Sequence, residues 1–132
     1  MDERPRLRAR ELHWRALFWI GVAIGTVVAL WPQPDPTETW LPGIDKVEHA
    51  LSFALLTTVG LRAGFRSALV LAAGLVALGG AIELAQGLTA TRTADWFDWP
   101  ADAAGIALGW ALSRLAAPRG VGSVGLEQEH GR

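Results

Sequence analysis

SALVLAAGLVALGGAIELAQGLTAT, running from Ser67 to Thr91, holds a single charged side chain, Glu83. From Leu69 to Gly80 it is apolar all round, with no polar stripe to meet water. That pattern argues against a surface helix of a soluble domain, which keeps one wet face. It is also long enough for a helix to cross a hydrocarbon core of about 30 Å. The fold class follows from this one stretch: a helix in lipid.

Working outward, Ala16 to Pro34 is likewise free of charge and is flanked by Trp14 and Trp31. Basic residues precede it, as in a signal peptide. However, Val27-Val28-Ala29-Leu30-Trp31 lacks the small-x-small cleavage pattern, so the stretch reads as a retained span. Two further apolar segments, Ala50 to Leu61 and Ala103 to Ser113, are each too short to span by themselves. They reach the needed length if their polar first turns, Asp45 to His49 and Asp98 to Asp102, belong to the helices. The expectation is an all-α polytopic membrane protein, a four-transmembrane-helix bundle over residues 1–117. Its spans lie at about 15–33, 45–62, 67–87 and 99–117, followed by a disordered tail at 118–132 rich in Gly and polar residues.

Charge sets the orientation. With four spans, Arg4, Arg6, Arg8, Arg10, Arg15, Arg62, Arg66, Arg114, Arg119 and Arg132 fall on one side, and only Lys46 and Arg92 on the other. Positive residues stay in the cytoplasm, so the N- and C-termini and the tail are expected there, in a multi-pass membrane protein. Trp31, Trp40, Trp96 and Trp99 then sit at the outer interface, where indoles are favoured. Pro32, Pro34, Pro36 and Pro42 make the first outer loop stiff and non-helical. The formal net charge of −1 gives no reason to expect nucleic acid as a partner, and the absence of Cys removes thiolate metal sites and cysteine nucleophiles. Gly21 with Gly25 and Gly105 with Gly109 form GxxxG pairs that let helices approach closely in lipid.

The polar residues converge near the outer end. Asp45 and His49 are four apart and share a face of the second helix, with Lys46 beside them. Glu83 and Gln86 share a face of the third. Asp98, Asp102, Gly105 and Gly109 form one stripe on the fourth, and the loop before it supplies Arg92 and Asp95. Ionisable groups inside spans are costly and usually face the bundle interior, which makes them functional suspects. The acids outnumber the cations, so either some are held neutral or a ligand completes the site. His49 and Glu83 are the candidate catalytic groups; Arg92 with Asp95 or Asp98 reads as an interhelical clamp. A metal site of His49, Glu83 and Asp102 is set aside because spacing alone is a poor guide. No metal and no other cofactor is expected.

In this order and spacing, Asp45-Lys46-Val47-Glu48-His49 with Phe53, Glu83 with Gln86, and Arg92, Asp95, Asp98, Asp102, Gly105 and Gly109 closely resemble the VanZ-like membrane proteins of bacteria. The resemblance covers about residues 44 to 110. It implies a small helical membrane protein, and it carries a context of antibiotic resistance, since the name-giving member is associated with low-level resistance to the glycopeptide teicoplanin. One position departs: where the family often has Asn, this chain has Asp102, which brings a charge or needs a proton.

The expected function is that of a cell-envelope membrane protein whose outward-facing polar site binds or modulates an envelope lipid, a wall precursor or a glycopeptide-type antibiotic. A membrane enzyme acting on a lipid-linked substrate is the alternative; no activated nucleophile announces one. A purely structural scaffold is the third. The oligomeric state is not legible.

Overall fold

The computed structural model describes residues 4–32, 43–65, 67–89 and 94–116 and, of 4–7, the backbone alone. Arg92, Trp40, most of the proline-rich loop and the tail at 118–132 lie outside the described residues. Four α-helices make up the fold, and there are no strands among the described residues: α1 (Arg4–Leu30), α2 (Ile44–Arg62), α3 (Ala68–Gly87) and α4 (Asp98–Leu115). The charged turns Asp45–His49 and Asp98–Asp102 are helical, as the short apolar segments required. The first helix begins well before residue 15. Arg, Leu, Ala and Glu are strong helix formers, and Pro5 sits in the first turn, where its missing N–H is no loss.

The helices alternate in direction. Arg15 Nε donates to Ala63 O at 3.0 Å at one end, and Gln86 Nε2 donates to Ala29 O at 2.9 Å at the other. So α1 runs against α2 and along α3. α2 and α3 each touch all three other helices, whereas α1 and α4 do not meet among the described residues. The α2–α3 connection turns at Gly64, whose φ of 70° lies where a side chain would be strained. Ser67 then caps α3, its hydroxyl accepting from Val70 N at 3.4 Å.

The parallel α2–α4 pair is the closest in the bundle. A Cβ added at Gly105 would run into the carbonyl oxygen of Ala50, and one at Gly109 into that of Ala54. This GxxxG pair therefore sets backbone against backbone, the small-residue packing expected of helices in lipid. The other pair does not behave alike. A Cβ added at Gly21 would lie 3.1 Å from the Leu56 side chain, but one at Gly25 would face open space.

Much of the surface is apolar, and part of the interior is polar. Among the described residues Glu83 and Asp102 are the largest fully buried side chains, while Ile24, Val28, Leu51, Leu55, Leu69, Val70 and Leu84 are exposed. An apolar exterior with ionisable groups turned inward is what a lipid solvent selects. By length and composition, Arg8–Leu30 and Ala68–Gly87 are each able to cross a membrane. The apolar core, Phe18, Phe53, Leu56, Leu71, Leu75 and Ile106, fills the half of the bundle nearer the Gly64 turn. The polar groups take the other half.

Candidate functional site

Three helix ends and one loop build the polar half. Asp45, Lys46 and His49 lie on the first turns of α2, Glu83 on the last turns of α3, and Asp98 and Asp102 on the first turns of α4. Asp95 lies in the segment just before α4. Because α2 and α4 run parallel and touch through Gly105, their polar turns meet at one level. Gly79 does the same on the α3 side: a Cβ there would collide with the Asp102 carboxylate.

Two sub-clusters result. In the outer one the Lys46 ammonium bonds to Asp95 Oδ2 at 2.7 Å, Asp45 Oδ2 at 3.0 Å and Asp98 Oδ1 at 3.3 Å. That hydrogen bond, with a second from Phe97 N at 2.9 Å, holds the Asp95 carboxyl below the usual carboxylate range. In the deeper one, His49 Nδ1 meets Asp102 Oδ1 at 2.8 Å, while its Nε2 lies 3.8 Å from Asp98 Oδ2. Glu83 Oε2 accepts from the Asp95 backbone N–H at 3.0 Å. Glu83 Oε1 and Asp102 Oδ2 are buried and have no hydrogen-bond partner among the described residues. Both residues are 0% exposed. A buried acceptor left so is unfavourable by about 1–3 kcal/mol, more when charged, and calls for a proton, a water, an ion or a ligand.

The structure therefore brings together Asp45, Lys46, His49, Glu83, Asp95, Asp98 and Asp102. Among the described residues the cation at Asp95 and Asp98 is Lys46, a role sequence reasoning gave to Arg92. Gln86 shares the face of Glu83 but turns its amide to α1, bonding Ala29 O, and so ties two helices rather than joining the acids. Two sets of ligand atoms lie within 4.8 Å of one another, His49, Glu83 and Asp98, and Asp45, Asp95 and Asp98; Asp102, a member of the set that the sequence reading put aside, is in neither. Trp99 was also unforeseen: its indole N–H donates to Val76 O at 2.9 Å and covers the Gly79–Gly80 surface. Only the two adjacent glycines hinted at a flat partner.

A groove of about 100 Å³ leads to this cluster between α1, α2 and α3. Val22, Gly25, Thr26, Phe53, Leu56 and Leu78 line its apolar part, and Glu48, His49 and Ser52 its polar end.

Comparison with known proteins adds a family. The family model described as VanZ/LLP1 matches residues 7–117. No curated protein and no solved structure matches the chain.

Proposed function

The chain belongs to the VanZ/LLP1 family, and from that premise we propose a bundle of four membrane spans that binds an amphiphile of the cell envelope. Both termini lie in the cytoplasm, the membrane is the bacterial inner one, and the acid-rich cluster opens outward. The ligand class is an envelope lipid, a lipid-linked wall precursor or a glycopeptide-type antibiotic. What supports this reading is the joining of an apolar groove to a polar end at His49, whose ring bonds to Asp102, a carboxylate with an unused acceptor atom. An amphiphile places its chain along Val22, Phe53 and Leu78, and its hydroxyl or amine donors at the acids.

The test is mass spectrometry of amphiphiles retained by the purified protein, compared with an unrelated membrane protein prepared alike. Gly25 lines the groove, and a Cβ there meets nothing within 4 Å, so Gly25→Leu puts its side chain into that space. The variant should fold and retain several-fold less of the enriched species. No enrichment in the wild type, or equal retention by Gly25→Leu, counts against the proposal.

A second reading has its own support. Asp102 holds His49 by one nitrogen at 2.8 Å, the arrangement that orients an imidazole as a general base. On this reading a lipid-linked substrate is turned over, and His49→Gln should abolish turnover without unfolding the protein. Absence of turnover of any lipid found bound would leave binding as the function.

A further inference from the structure

We propose that His49, Glu83 and Asp98 form a site for one divalent transition-metal ion of the zinc class, with Asp102 positioning the histidine. This is independent of the amphiphile reading, and it departs from the expectation of no metal that the sequence alone supports.

The argument rests on which atom of each side chain is engaged. His49 gives Nδ1 to Asp102 Oδ1 at 2.8 Å, so with the proton on Nδ1 its Nε2 is left with a lone pair. Asp98 gives Oδ1 to Lys46 at 3.3 Å, and its Oδ2 is left facing that Nε2 at 3.8 Å. Glu83 gives Oε2 to the Asp95 N–H at 3.0 Å, and Oε1 is left buried without a partner. Each residue is held by one atom and offers the other. A carboxylate bonded to the far nitrogen of a ligating histidine, and hydrogen bonds to the far oxygens of ligating carboxylates, are the usual support around protein metal ions.

The distances suit the chemistry. One ligand atom from each residue lies within 4.8 Å of the others. Two ligands at about 2.1 Å from a tetrahedral ion stand about 3.4 Å apart, so contraction by small side-chain rotations closes the set. The 3.8 Å separation of Nε2 from Oδ2 is too long for a hydrogen bond but near that ligand spacing. Imidazole with carboxylates selects zinc-class ions over calcium or magnesium. The ion's two charges offset those of Glu83 and Asp98, and His49 also lines the groove. The other acidic group with suitable distances, Asp45, Asp95 and Asp98, is already filled by the Lys46 ammonium.

The experiment uses the full chain, purified in detergent after chelation and then dialysed against Zn²⁺. The expected result is about one ion per chain by elemental analysis, with a rise in melting temperature. Glu83→Gln keeps the shape and should weaken binding at least 10-fold, as should His49→Gln. Asp102→Asn keeps the ligands but disturbs the support, and should weaken binding by about 10–100-fold. Glu11→Gln, near the Gly64 turn at the far end, should bind like the wild type. Co²⁺ added to the wild type gives a measurement that needs no variant: visible bands of a low-coordinate nitrogen–oxygen site are expected. No bound Zn²⁺, a Co²⁺ spectrum of the hydrated ion alone, or unchanged affinity in Glu83→Gln and His49→Gln would overturn the inference.

Discussion

Lys46 organises the outer half of the site through one ammonium and three carboxylates, and its influence can be read by acid. The Asp95 carboxyl is held below its ordinary value by that ammonium. A group with a depressed folded pKa contributes stability above its unfolded value, about 3.9, and loses it as pH falls through the lower folded value. Lys46→Met lacks this contribution at every pH. Its melting temperature should lie below that of the wild type at neutral pH, and the gap should narrow below about pH 4. A gap that stays constant through that window would show that Asp95 does not depend on Lys46. Asp98, only 6% exposed, makes the neutral-pH loss larger than a surface pair would give.

Among the helices, the α2–α4 contact is the least forgiving. A side chain at Gly105 meets the backbone of Ala50, which cannot rotate away. Overpacking of this kind typically destabilises by about 1–3 kcal/mol, and by more where backbone is the obstacle. Gly105→Leu should therefore melt well below the wild type, while Gly25→Leu, facing open space, should not. Equal melting of the two variants would mean that α4 does not pack through this face. The sequence contained both GxxxG pairs, and nothing in their spacing said that one faces a neighbour and the other a groove. Spacing of 4, 3 and 4 put Asp98, Asp102, Gly105 and Gly109 on one stripe, and that much was legible. The partners were not: a stripe gives direction, but not the reach and rotamer that send Gln86 to Ala29 and bring Lys46 to Asp95. The early start of α1 was hidden because charge marks where lipid ends, and a helix need not stop there.

At the scale of the whole molecule, alternating helix directions bring the start of α1 and the end of α4 to the same end of the bundle, near the Gly64 turn. With the basic residues at that end retained in the cytoplasm, cysteines placed singly in this cysteine-free chain test the proposed topology. Gly64→Cys should react only after the membrane is opened, and Ala94→Cys should react from outside. Labelling of Ala94→Cys from the cytoplasmic side alone would invert the arrangement and aim the polar half inward. The long uncharged runs made α1 and α3 plain from sequence, since each is long and apolar enough by itself to cross a membrane. For α2 and α4 the same inference needed the charged turns to be helical and mutually satisfied, which is a property of the bundle and of no single helix.

The collision that a Cβ at Gly79 would have with Asp102 couples substitutions at these two positions. Gly79→Ala introduced first meets an acid that is fully enclosed and has nowhere to go. Asp102→Ala introduced first empties the space and admits the later change, at the expense of His49. The order of two substitutions thus decides whether the intermediate survives. A double-mutant cycle should find the pair less damaging than the sum of its members. While Asp stands at 102, glycine is the residue that fits at 79 without a shift of that side chain.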